Sequence, residues 1–90
     1  MNKQTRNTLS SLNERIDALR SELESIKDKL EGIKDEEQEK LDNMAEHFEG
    51  TSRYEEMQEK FDYLEEAFSS LDEAYDSIDN AYEQLEEACY

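Results

Sequence analysis

From Leu64 the chain reads Leu-Glu-Glu-Ala-Phe-Ser-Ser, Leu-Asp-Glu-Ala-Tyr-Asp-Ser, Ile-Asp-Asn-Ala-Tyr-Glu-Gln and Leu-Glu-Glu-Ala-Cys-Tyr, a seven-residue unit repeated nearly four times. The larger apolar residues of this half are Tyr54, Met57, Phe61, Leu64, Phe68, Leu71, Tyr75, Ile78, Tyr82, Leu85 and Cys89, with spacings that alternate between three and four. Sustained alternation of this kind keeps one stripe of an α-helix facing a neighbouring helix and defines a coiled-coil seam. Ala67, Ala74, Ala81 and Ala88 flank the stripe at the same period, and small residues beside a seam let a neighbour approach closely. The first half follows the same rule through Leu9, Leu12, Ile16, Leu19, Leu23, Ile26, Leu30 and Ile33. The pattern breaks at Glu37 and resumes loosely with Leu41, Met44 and Phe48. Gly32 costs about 1 kcal/mol relative to Ala inside a helix, so a weak point is expected near residues 32–38.

The seams meet at a turn. Gly50 suits a helix C-cap or a loop, and Ser52-Arg-Tyr-Glu55 has the form of a capping box. These signals predict one domain over residues 1–90, with a first helix at about 5–43, a turn at about 44–51 and a second helix at about 52–89. The expected fold is all-α, an antiparallel two-helix coiled-coil hairpin. If facing residue numbers add to 94, the layers include Leu9 with Leu85, Ile16 with Ile78, Leu23 with Leu71 and Ile33 with Phe61, and only Glu37 on Met57 is mismatched. A total of 101 also fits, but it sets Glu37 on Leu64, Lys40 on Phe61 and His47 on Tyr54. Burying three polar groups costs more than burying one, which favours 94. A hairpin buries only one stripe per helix and needs further packing. The second helix, with its alanine flank, Tyr63 and Tyr90, has apolar surface beyond what the first can cover. A homodimer forming a four-helix bundle is expected on that ground.

Charge narrows the function. The chain has 26 acids and 10 bases, a net charge of -16. Residues 1–34 hold seven bases and six acids, net +1; residues 35–52 one base and seven acids, net -6; residues 53–90 two bases and thirteen acids, net -11. Such a chain is repelled by nucleic acid and by anionic membranes, so direct nucleic-acid or membrane binding is not expected and a basic protein is. A second helix of about 38 residues is about 57 Å long, so its thirteen acids fall about one per 4 Å, near the roughly 3.4 Å phosphate spacing of a DNA strand. Such a rod can mimic DNA towards a basic groove. Acids on helix faces also serve simply to keep a coiled coil in solution. The partner-binding residues expected on this face are Asp62, Glu65, Asp72, Glu73, Asp76, Asp79 and Glu83.

Motifs for chemistry are lacking. The one histidine, His47, falls in the expected turn and reads as a solvated residue. No Glu-x-x-His pair, calcium-loop signature, glycine-rich phosphate loop or nucleophile elbow occurs. Carboxylate pairs are frequent but lie on exposed helix faces, where nothing tunes their pKa for acid–base work. No catalytic residue, metal site or cofactor is expected. Cys89 is the lone cysteine and reads as a small packing residue. With neither a secretory signal nor a run of about 18 apolar residues, the expected location is the cytoplasm.

Four stretches together, Asp35-Glu-Glu-Gln-Glu39, Asp42-Asn-Met44, Ser52-Arg-Tyr-Glu55 and the Leu-Glu-Glu-Ala repeats from Leu64, resemble a group of small acidic helical proteins of unknown function encoded by phages and prophages of Gram-positive bacteria. The resemblance covers roughly residues 9–89. Members carry proline where this chain has Ala45. The resemblance implies a phage accessory protein, and small acidic proteins of that kind are often inhibitors of host enzymes, including restriction and CRISPR nucleases. The functional expectation is therefore a non-enzymatic anti-defence inhibitor that docks its acidic face on a basic host protein, such as a nuclease, in the host cytoplasm. The alternative is a structural or adaptor coiled coil whose role is oligomerisation.

Overall fold

The computed structural model describes residues 1–48 and 50–89, with the side chains of residues 46–48 left aside. It is an all-α hairpin of two helices, α1 (Lys3–Phe48) and α2 (Ser52–Ala88), forming a rod 67 Å long and about 15 Å across. Asn2 starts α1: its Oδ1 accepts from the Thr5 backbone N–H at 2.7 Å, and asparagine is among the best N-caps. That signal places the start two residues before the expected position. The far end of α1 also runs beyond residue 43, to Phe48, because no proline or glycine interrupts residues 44–48. His47 therefore lies in the helix rather than in the turn, and its side chain is outside the described residues, as is Tyr90.

The turn is correspondingly short. Gly50 has φ +85°, a conformation that costs about 1–2 kcal/mol for a residue with a Cβ and that glycine commonly supplies after a helix. The cap of α2 is Thr51, one residue before the expected Ser52. Its hydroxyl accepts from the Tyr54 N–H at 3.2 Å, while the Glu55 N–H donates to the Thr51 carbonyl at 3.0 Å. Gly32 does not break α1, which is helical throughout Lys3–Phe48.

On α2 the seam is as the heptads predict. Phe61 is buried, and Tyr54, Met57, Leu64, Phe68, Leu71, Tyr75, Ile78, Tyr82, Leu85 and Cys89 are half-buried. On α1 the seam differs. Leu9, Ile16, Leu23 and Leu30 face α2 as expected, but Leu12, Leu19, Ile26 and Ile33 are 43, 59, 43 and 49% exposed. Their place is taken by the row one residue on: Asn13 and Leu41 are buried, and Arg20, Lys27 and Lys34 are half-buried. The helix is thus turned by about 50°, half the angle between successive residues. The turn brings basic side chains over the aromatic row of α2. The Arg20 guanidinium lies 4.1 Å from the Tyr82 ring centroid. The Lys27 ammonium lies 4.9 Å from that of Tyr75 and 5.9 Å from that of Phe68, and Lys34 lies 4.4 Å from that of Phe68. All fall within the roughly 6 Å range of cation–π attraction.

This rotation also settles the register. Crossing contacts have residue numbers that add to 95 for Asn13 with Tyr82 and Lys27 with Phe68, to 99 for Arg20 with Asp79 and Lys27 with Asp72, and to 102 for Arg20 with Tyr82, Lys27 with Tyr75 and Lys34 with Phe68. They run from 95 to 102, a range that includes 101 but not the favoured 94, because the rotation brings a different row of α1 over the rings. Lys27 sits between two rings rather than level with one, so the rows interdigitate in the manner of knobs and holes. Asn13 anchors the open end: its Nδ2 donates to the Tyr82 carbonyl at 3.1 Å, while its buried Oδ1 has no hydrogen-bond partner among the described residues.

The resulting core is thin. Among the described residues only Leu41, Phe61 and Asn13 are buried. Leu41→Ala is expected to lower stability by roughly 2–4 kcal/mol, whereas Gly32→Ala, where an added Cβ meets nothing within 4 Å, should raise it by about 1 kcal/mol. Thermal unfolding followed by circular dichroism checks both; a neutral Leu41→Ala would mean that the loop end is not where the core is sealed.

Candidate functional site

The acidic face is built by heptad rows of α2. Glu65, Asp72, Asp79 and Glu86 form one row beside the seam; Asp62, Asp76 and Glu83 form a second; Glu66, Glu73 and Glu87 form a third, further round the helix. Successive rows lie within about 110° of one another on a 3.6-residue helix, so they make one continuous surface along the rod.

The seven residues expected to bind a partner fall into two groups. Asp79 and Asp72 are occupied internally. Asp79 Oδ1 accepts from Arg20 Nη1 at 2.6 Å, and Asp72 Oδ1 accepts from Lys27 Nζ. Both cations come from the seam row of α1, with side chains only 22 and 17% exposed. Arg20 is shared with Asp17 one turn earlier, at 2.6 Å. The expectation that all seven residues face solvent freely is therefore corrected for these two: they bolt α2 to α1. Asp62 accepts from Gln58 Nε2 at 3.0 Å on its own helix and is exposed. Glu65, Glu73, Asp76 and Glu83 are exposed and have no ion-pair or side-chain hydrogen-bond partner among the described residues; the charge of Asp76 still acts on Lys27, and the other three point outward.

The electrostatics follow from these contacts. Hydrogen bonds to Asp17 and Asp79 push the Arg20 guanidinium above its already high ordinary range. The Lys27 ammonium is pushed up from 10.5 chiefly by its hydrogen bond to Asp72, with the charges of Asp72 and Asp76 adding to it and burial opposing it. A cation whose folded pKa is raised stabilises the fold fully below its unfolded value, so the contribution of Lys27 is intact at neutral pH and fades only above pH 10.5.

Three of the seven bases of residues 1–34, Arg20, Lys27 and Lys34, are turned towards α2, yet the outer rows of α2 keep their charge. The signal for this arrangement is in the sequence: Arg20, Lys27 and Lys34 repeat every seven residues, as do Phe61, Phe68, Tyr75 and Tyr82, and Asp72 and Asp79. Apolar spacing on α1 alone does not reveal it, nor does it reveal that the row Leu12, Leu19, Ile26 and Ile33 is exposed. The surplus apolar surface expected on α2 lies in larger part on α1.

Among the described residues, no group of three or more His, Cys, Asp or Glu is placed to hold a metal ion, and no helix is long and apolar enough to cross a membrane. The chain matches no protein-family model, no curated protein and no solved structure.

The division of the acids is testable. Asp72→Lys with Asp79→Lys sets like charges on Lys27 and Arg20 and should lower the melting temperature by roughly 5–10 °C. Glu73→Lys with Glu83→Lys should leave it within about 2 °C. Equal losses in the two pairs would contradict the distinction between bolting and outward acids.

Proposed function

We propose that this chain is a non-enzymatic protein-binding protein, an accessory inhibitor of the phage type whose acidic helical face occupies the nucleic-acid groove of a basic host protein such as a defence nuclease. The observation that carries this reading is the asymmetry of charge combined with the outward placement of Glu65, Glu73, Asp76 and Glu83. A helix that serves only to pair with its neighbour needs acids where the neighbour has bases, as at Asp72 and Asp79. The outer rows are a further line of charge along a straight rod, a form suited to a groove that holds a nucleic-acid strand. The resemblance to phage-encoded acidic helical proteins points the same way, and the host cytoplasm is where such an inhibitor would act.

Clustered charge speeds the approach of a basic groove, and salt screens that effect over about 8–10 Å. Single exposed charges contribute little, so binding should fall stepwise as acids are removed. The alternative reading, an adaptor coiled coil, is favoured by a different observation: the exposed leucine and isoleucine row of α1.

The test uses immobilised protein and host lysate at low and high salt, followed by the isolated partner. The inhibitor reading expects a basic nucleic-acid-binding protein that is displaced by added DNA and whose cleavage activity the chain suppresses. Glu65→Lys, Glu73→Lys, Asp76→Lys and Glu83→Lys together should reduce its binding at least about tenfold with helicity retained, by the summed loss of steering charge. Unchanged binding by the fourfold variant would leave the adaptor reading in place.

A further inference from the structure

The two flanks of the hairpin differ. On one, Ser10, Asp17 and Glu86 surround the Asn13–Tyr82 contact, and Arg20 and Lys27 bridge to Asp79 and Asp72. On the other, Ile33 shares an apolar groove with Met57, Lys60, Phe61, Tyr63 and Leu64. Lys60 belongs to the heptad row that continues as Ala67, Ala74, Ala81 and Ala88, and Ile33 ends the row Leu12, Leu19, Ile26 and Ile33. The exposed large residues of α1 and the small residues of α2 therefore border the same flank. It carries a ridge of large apolar residues on α1 and a line of small ones on α2.

We infer that this flank is covered by a second copy of the chain, with the leucine–isoleucine row of each α1 seated on the alanine row of the other copy's α2, about a two-fold axis parallel to the rod. Three observations select this occupant. The first is register. A two-fold along the rod leaves heights unchanged, so the partner's α2 stands level with the chain's own α2, where crossing contacts add to between 95 and 102. Leu12 with the partner's Ala88, Leu19 with the partner's Ala81, Ile26 with the partner's Ala74 and Ile33 with the partner's Ala67 all add to 100, inside that range. Large residues meet small ones at four successive levels, as interdigitating layers require.

The second is charge. The other two-fold that brings the flanks together lies across the rod and sets α2 beside α2, net -11 against net -11 over residues 53–90. The axis along the rod instead sets each α2 beside an α1 whose residues 1–34 are net +1. Arg15 and Lys29, with Glu22 between them on the outer border of the row, then lie beside an acidic helix, and the border keeps an excess of base over acid.

The third is extent. Residues 12–33 span about 32 Å at 1.5 Å per residue, and two helices side by side are about 20 Å wide. The strip covers roughly 600 Å² on each copy, or about 1,300 Å² in all, which lies in the range of stable interfaces. Lys40 and Lys60 continue the two rows towards the turn and bound the apolar strip there. The product is a four-helix bundle with the outward acids of the two α2 helices at diagonally opposite edges.

The state of assembly and the orientation can both be read out. Sedimentation equilibrium of the unmodified chain should give twice the 10.6 kDa chain mass; the single-chain mass at hundreds of micromolar would overturn the inference. Leu19→Glu with Ile26→Glu, at positions already 59 and 43% exposed, should give the single-chain mass with helicity retained; a dimer undiminished in this variant would place the interface elsewhere. Orientation is read from a nitroxide on Cys89, the lone cysteine, in the unmodified sequence. The inferred axis sets both labels at one end, less than about 30 Å apart given helix spacings of 8–10 Å. The crosswise axis sets them at opposite ends of a 67 Å rod, and a separation near that length would overturn the arrangement. This distance decides the matter even if the double variant loses helicity.

Discussion

The hairpin depends on a row of bases lying across a row of aromatic rings. Phe61, Phe68, Tyr75 and Tyr82 recur every seven residues on α2, and Arg20, Lys27 and Lys34 recur at the same interval on α1. Because both rows share one period, a single rotation of α1 satisfies all of them together. Each cation then has a ring beneath it, and Arg20 and Lys27 have an aspartate alongside. Long basic side chains suit this place, since their methylene stems pack on apolar surface while the charged head reaches the edge. The same rotation turns Leu12, Leu19, Ile26 and Ile33 out of the seam. Leaving half of a leucine or isoleucine side chain in water forgoes roughly 1 kcal/mol per residue, so a hairpin with this seam remains marginal unless the row is covered.

What the sequence disclosed tracks how strongly each element was specified. The heptads of α2 are nearly free of interruption, and every seam residue from Tyr54 to Cys89 is at least half-buried. On α1 the apolar surface is wider than one neighbour can cover, because the rows beginning at Leu9 and Leu12 offer more than a single stripe. Apolar spacing alone cannot choose which edge of such a surface faces α2; the polar residues Asn13, Arg20, Lys27 and Lys34 choose it, through Tyr82, Asp79, Asp72 and the rings. The turn was legible in Gly50 but not in its extent, since nothing between Asn43 and Phe48 ends a helix. The acidic rows were legible as rows. Their division into internal bolts and outward charge was not, because it depends on which α1 residues stand opposite.

The two surfaces of the rod have separate roles in this account. As proposed above, the apolar flank takes a second copy and the outward acids take a basic partner. Neither competes with the other: the acids lie on the back of α2 and towards the ion-paired flank, away from the alanine row. An inhibitor with two such faces at opposite edges of one bundle would engage two basic partners at once and gain from the raised effective concentration.

The rotation of α1 is the claim on which the ion pairs, the exposed row and the assembly all rest. Nuclear Overhauser spectroscopy tests it directly, on samples that mix labelled and unlabelled chains so that contacts within a chain are separated from those between copies. Contacts within one chain are expected from the Lys27 side-chain methylenes to the Tyr75 and Phe68 rings, with those methylene protons shifted upfield by the ring currents. Within-chain contacts from the Ile26 methyl groups to the same two rings, with the Lys27 methylenes at their free-chain shifts, would contradict the rotation.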